Sequence, residues 1–185
     1  MSAFLRGNDQ AGNLAARNLA VLGALCLFLS AVEYMIPKPL PFMRIGLANL
    51  PLMLALDIFP VRAFFILVCI KIFGQALITG TLFSYIFLFS SAGTFFSALL
   101  MLALRRIFGR EHITFTGIGT AGAMISSISQ LALARVFIFG DNARYIAPPF
   151  LLAALVTGIV LGVFCETFTR RSRWYKENIF RGGKE

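Results

Sequence analysis

The sequence predicts an all-α, polytopic membrane protein, and three of its features lead there. First, 58% of the 185 residues are hydrophobic and 14% charged, with a mean hydropathy of +0.82, whereas a soluble domain carries about 25% charged residues. Second, apolar runs of helical spanning length, about 20 residues for a hydrocarbon core ~30 Å thick, recur along the chain. Third, the basic residues fall in short stretches between those runs and at the C-terminus. In a soluble protein a net charge of +9 would point to nucleic acid. Here its placement fits membrane topology, and no nucleic-acid partner is expected.

Six segments meet the spanning criterion approximately: 18–36, 45–59, 62–79, 82–104, 116–139 and 147–168. The first follows Arg6 and Arg17 and could be read as a signal-peptide core, but Glu33, Tyr34 and Pro37 make no small-residue cleavage site, so it is expected to be retained. The second is short, bounded by Arg44 and Asp57 and interrupted by Pro51, which predicts a tilted, broken or partly re-entrant helix. The 33 uncharged residues between Lys71 and Arg105 are too many for one crossing, and Thr79-Gly80-Thr81 supplies the turn between segments three and four. Segments five and six are continuous apolar runs. Without an internal repeat or long linker, residues 1–185 read as a single membrane domain with a core of about 18–168 and tails at 1–17 and 169–185.

Lys and Arg are in excess in cytoplasmic connections. With both termini in the cytoplasm, that side receives Arg6, Arg17, Arg62, Arg105, Arg106, Arg110 and the six basic residues from Arg170 onward, whereas Lys38, Arg44 and Arg144 fall outside. This orientation is therefore expected. The C-terminal Arg170-Arg-Ser-Arg-Trp-Tyr-Lys176 stretch suits a juxtamembrane helix on an anionic leaflet, anchored by Trp174 and Tyr175.

Lys71 lies near the middle of segment three. An intramembrane lysine costs at least ~2.5 kcal/mol on insertion scales and requires water, a carboxylate or a bound anion to compensate it. Gln75 and Thr79 follow at i+4 and i+8, forming a polar stripe along one helix face. Other polar residues are biased toward the same, outer half: Glu33 in segment one, Arg44 and Asn49 in segment two, Ser127, Gln130 and Arg135 in segment five. With Arg144 and Asp141 in the adjoining loop, the set is net cationic. It suggests an outward-facing pocket in which Lys71, Arg44 and Arg135 neutralise an anionic group while Asn49, Gln75 and Gln130 orient polar ones. Simple bundle-stabilising pairs, Lys71 with Glu33 or Arg135 with Asp141, would use the same residues.

Several chemistries lack their residues. The eight acidic side chains are scattered and include no Asp-Asp-x-x-Asp cluster for magnesium and diphosphate, and the one histidine, His112, sits in a basic loop. No P-loop motif is present. Gly117-Ile-Gly-Thr-Ala-Gly122 satisfies G-x-G-x-x-G but has no βαβ context, so close helix packing is expected there. Cys26, Cys69 and Cys165 each lie in an apolar segment and suggest packing rather than a metal or disulfide framework. No catalytic role, metal or cofactor is expected.

The stretches Arg44-Ile-Gly-Leu-Ala-Asn49, Lys71-Ile-Phe-Gly-Gln75 through Gly80 and Ser84, and Ser91-Ala-Gly93 through Ser97 to Gly109 resemble the bacterial membrane family described both as Gx transporters and as heptaprenyl diphosphate synthase component I. Where that family is expected to carry a His-Asn pair and a glycine before the segment-five glutamine, this chain has Ser126, Ser127 and Ser129 before Gln130. The family in turn resembles the substrate-binding S components of energy-coupling-factor transporters. That resemblance implies a six-helix bundle of S-component type which captures a small vitamin- or isoprenoid-related substrate, anionic or amphipathic, from outside. It also implies docking on a transmembrane coupling subunit with ATPases through small residues of the first helix, here Ala16, Ala20 and Ala24. Small residues at this spacing permit close helix contact, with a partner or within the bundle. The synthase description implies instead a non-catalytic membrane accessory subunit of a prenyl diphosphate synthase. A proton-coupled carrier using Glu33 or Glu166 is a third reading.

Overall fold

The computed structural model describes residues 2–37 and 45–182, with side-chain surroundings for 15–37 and 45–177. The described residues are helical, with no strand. The helices are α1 (Ser2–Met35), α2 (Leu50–Ala55), α3 (Val61–Thr79), α4 (Tyr85–His112), α5 (Phe115–Ala134), α6 (Ala143–Arg171) and α7 (Arg173–Gly182).

Local chemistry sets many of the boundaries. Pro60, in extended conformation, precedes α3, which ends at Gly80 with left-handed backbone, the turn anticipated at Thr79-Gly-Thr81. Ser84 and Thr114 cap α4 and α5 by accepting the backbone N–H of Ile86 and Gly117. α5 and α6 are separated by a π-helical turn, Arg135–Phe139, and a 3-10 turn, Gly140–Asn142.

Four helical runs among the described residues are long and apolar enough to cross a membrane: Ala15–Met35, Val61–Thr79, Tyr85–His112 and Phe115–Arg171. The last is 57 residues long, about 85 Å if straight, far beyond a ~30 Å core. It folds back at 135–142, and α5 packs along α6. The expected second span is different in kind. A 3-10 turn, Leu47–Asn49, leads into the six-residue α2, which rises only about 9 Å. Pro51 occupies its first turn, where a missing N–H does no harm. Every residue from Ala48 to Leu56 is buried, so this segment meets neighbouring helices on all sides.

The main core gathers around it. Leu52, Met53, Leu54 and Ala55 pack in one cluster with Leu22 and Cys26 of α1, Phe64 and Leu67 of α3, Met101 of α4 and Ile118 of α5. The bundle's outer surface carries exposed apolar residues such as Phe28, Ile66, Phe96, Val160 and Phe164, as lipid-facing helices require.

α5 and α6 approach through glycine. A Cβ on Gly162 would lie 2.4 Å from Thr116 Cα, and one on Gly158 would lie 2.9 Å from Thr120 Cα. Gly158-x-x-x-Gly162 thus forms a small-residue seam of the kind that lets membrane helices touch backbone to backbone. Gly119 faces that seam and Gly122 faces Met101, which accounts for two of the three glycines of the Gly117–Gly122 motif as packing.

Gly162→Ala is expected to destabilise the protein by about 1–3 kcal/mol through overpacking, read as a lowered melting temperature in detergent. Gly117→Ala, whose nearest neighbours lie at ordinary contact distance, should leave the melting temperature nearly unchanged.

Candidate functional site

At one end of the 47–55 segment lies a cavity to which all of the helices from α1 to α6 contribute. Glu33 comes from α1, Asn49 from the 3-10 turn, Lys71 and Gln75 from α3, Thr94 from α4 and Gln130 from α5. Lys71 is 3% exposed, and its ammonium donates to Asn49 Oδ1. The Glu33 carboxylate accepts the Ile45 backbone N–H at 2.9 Å. α1 and α3 therefore each place a charged side chain against the chain entering α2. The compensation required by a buried lysine includes an amide oxygen from the enclosed segment.

The opposite wall is polar but incompletely paired. Gln130 Nε2 donates to Ser126 Oγ at 3.0 Å, while Gln130 Oε1 is buried without a hydrogen-bond partner; Ser97 Oγ, near Gly122 and outside the cavity lining, is likewise unpaired. Each such atom costs about 1–3 kcal/mol unless water or a ligand meets it. Gly93 makes room for this amide, since a Cβ there would fall 2.8 Å from Gln130 Nε2. The cavity measures about 20 Å³, room for about one water molecule.

Five of the seven residues anticipated for substrate binding thus surround one cavity: Glu33, Asn49, Lys71, Gln75 and Gln130. Arg44 lies outside the described residues. Arg135 is placed elsewhere. It opens the π-helical turn, where the widened backbone changes the helical register, and its guanidinium is exposed and paired with Asp141 at 3.1 Å. Arg144, also exposed, stacks on Tyr145 at 4.9 Å. Arg135 and Arg144 thus stand apart from the cavity, whose charged lining among the described residues is Lys71 and Glu33, one of each sign. Thr79 stands beyond the cavity at the end of α3, bonded to Thr81 and to the Gln75 carbonyl.

Ala16, Ala20 and Ala24 are all exposed, whereas Asn18, Leu22, Cys26 and Ser30 turn inward. Among the described residues the bundle leaves the alanine stripe exposed. Among the described residues no group of three His, Cys, Asp or Glu side chains converges on a metal position.

A second polar cluster, at the other end of the central segment, was not anticipated. Asp57 sits in the turn after α2 with a side chain 5% exposed. It accepts both Nε, at 2.7 Å, and Nη2, at 2.5 Å, of Arg105, a bidentate pair. Arg110 Nε approaches at 3.1 Å, and the Tyr175 hydroxyl donates at 2.8 Å. Gly109, at φ 70°, turns the chain so that Arg110 joins Arg105 on the same carboxylate. Arg105 also donates to the Ile113 carbonyl and lies over the Phe115 ring. Burial by itself would raise the Asp57 pKa, but hydrogen bonds from Arg105, Arg110 and Tyr175 and the Arg105 charge outweigh it and hold the carboxyl below its ordinary 3.8. Burial, then the neighbouring Asp57 carboxylate, pushes the Tyr175 phenol upward, so it stays a donor. The sequence did carry a signal: Asp57 ends its segment on the side where segment four delivers Arg105 and Arg110.

The cluster also fixes α7. Tyr175 is 3% exposed and Trp174 packs against the main core. The two aromatics expected to anchor this helix in a leaflet are directed into the bundle, leaving Arg173 and Lys176 outward.

The sequence profile described as heptaprenyl diphosphate synthase component I matches residues 22–168. The chain belongs to this family. No curated protein and no solved structure matches it. The family match spans every cavity residue named above together with Asp57, Arg105 and Arg110, and stops before α7.

Asp57→Asn should destabilise the protein by about 3–5 kcal/mol, because Arg105 would remain buried without its counter-charge. Since the Asp57 pKa is depressed on folding, its stabilisation is complete above the ordinary carboxylate range and lost as pH falls through the folded value. Thermal unfolding across pH 6 to 3 should show a steeper loss of stability in the wild type than in Asp57→Asn.

Proposed function

We propose that the protein is a membrane substrate-binding component: the Lys71 cavity takes a small polar ligand from the outer side, and the ligand is passed on with the help of a separate coupling module. The observation that carries this reading is the convergence of Lys71, Glu33, Asn49, Gln75 and Gln130 on one buried cavity with the unpaired Gln130 Oε1 at its wall. Membrane interiors retain such groups at considerable cost, most often where a substrate or ion is handled. A ligand here presents an anionic or strongly accepting group to Lys71 and a donor to Gln130.

At about 20 Å³ the cavity is in a closed arrangement. Ordinary ligands occupy ~300 Å³ or more, so binding entails separating Lys71 from Asn49 and lifting the 45–49 turn. The orientation that places both termini in the cytoplasm puts Lys71, Glu33 and the 135–142 turn toward the outside and the Asp57 cluster toward the cytoplasm. In this reading the short central segment is the second member of a six-segment bundle of S-component type. The outward alanines 16, 20 and 24 offer a smooth face to a membrane coupling subunit, whose ATPases supply the energy.

The family description favours a second reading, in which the chain is a non-catalytic membrane component of a prenyl diphosphate synthase and the partner is a soluble prenyltransferase. Both readings are tested by native mass spectrometry of protein gently released from its own membrane. The first expects a small molecule on the wild type and on Arg135→Ala that is lost, by tenfold or more, from Lys71→Met. It also expects a coupling subunit that dissociates in Ala20→Leu. A prenyltransferase in the complex would favour the second. An empty wild type, or a ligand retained by Lys71→Met, would refute the cavity as the binding site.

A further inference from the structure

The central segment is fastened by polar groups at both ends. At one end Asn49 accepts from Lys71 of α3, and the Ile45 N–H is held by Glu33 of α1. At the other end Asp57 is gripped by Arg105 and Arg110 of α4 and by Tyr175 of α7. Between them Leu50, Leu52, Met53, Leu54 and Leu56 present buried apolar surface. Asp57 follows Asn49 by eight positions, about 12 Å if helical.

These two sets of contacts differ in kind. Apolar packing is non-directional and tolerates small sliding shifts of a packed element. Hydrogen-bonded ion pairs have discrete geometries and are either made or broken. A short rod clamped in this way conveys displacement at one end as a loss of alignment at the other. Its weakest grip is the single Tyr175 hydroxyl bond, because Arg105 and Arg110 hold Asp57 through several donors. That bond, with Trp174 and Tyr175 packing, is what docks α7.

We infer that residues 47–57 couple the Lys71 cavity to the docking of α7: when Asn49 parts from Lys71, Asp57 shifts and the Tyr175 contact releases. The inference deepens the binding reading, since a ligand that replaces Asn49 at Lys71 would be reported at the opposite face of the bundle. Coupling of this kind is reciprocal. Freeing α7 therefore also alters the ease with which the 45–49 turn lifts from the cavity.

The test uses no ligand and so can fail independently of the binding reading. Full-length protein in lipid nanodiscs is compared as wild type, Asn49→Ala, Tyr175→Phe and Arg135→Ala. Hydrogen exchange is followed in residues 173–177 and in the α5–α6 seam, together with the emission of Trp174, the chain's one tryptophan. Tyr175→Phe should speed exchange in 173–177 and shift Trp174 emission to the red. Asn49→Ala should do the same from the other end, by roughly fivefold or more in exchange, while the seam stays protected and Arg135→Ala behaves as wild type. Wild-type exchange of α7 in Asn49→Ala, or an α7 that stays docked in Tyr175→Phe, overturns the inference. If Asn49→Ala also loses seam protection, Asn49→Ser, too short to reach Lys71, replaces it under the same criteria.

Discussion

The structure depends on keeping a lysine ammonium among apolar helices. Lys71 arrives in the middle of α3, and the bundle answers it with an enclosed turn carrying Asn49, a carboxylate from α1 and amides from α3 and α5. Few geometries allow so many elements to reach one point. The short segment 47–55 makes it possible, because a full-length helix in its place would have no end near Lys71 to present Asn49.

The same segment gives the molecule two poles. At one, charges of opposite sign share a small cavity whose wall keeps Gln130 Oε1 unpaired. At the other, Asp57 satisfies two arginines and a tyrosine completely enough to close the bundle and dock α7. One cluster thus keeps a polar atom without a partner, whereas the other holds its carboxylate firmly between two arginines and more weakly through the single Tyr175 bond. Gly158 and Gly162 hold α5 and α6 in contact and so fix the wall that carries Gln130.

Much of this was legible in the sequence. Segment lengths and the Thr79-Gly80-Thr81 turn follow from hydrocarbon thickness and backbone chemistry, and Lys71 announces itself by its cost. The helical spacing of Lys71 and Gln75 placed both on one cavity. Pro51 and the brevity of 45–59 indicated an unusual second segment. Arg135 was misplaced because a π-helical turn changes the register at its position, and nothing in Leu131–Phe139 distinguishes that turn from continuous helix. The Asp57 cluster escaped notice because its members lie up to 118 positions apart, and loop arginines read first as determinants of topology. Trp174 and Tyr175 suited a leaflet as well as a protein surface, and only the Asp57 contact decides between them.

The central claim is that the Lys71 cavity opens to the outer side. Thr157 lines it with its hydroxyl bonded to the Ala154 carbonyl of its own helix, so Thr157→Cys, in a chain whose three natural cysteines are replaced by alanine, reports access without removing a partner of Lys71 or Gln130. Sealed vesicles of known orientation would be treated with a membrane-impermeant thiol reagent on each face in turn. The account predicts modification from the outer face alone; a cysteine reached only from the cytoplasmic face, or from neither, would contradict it.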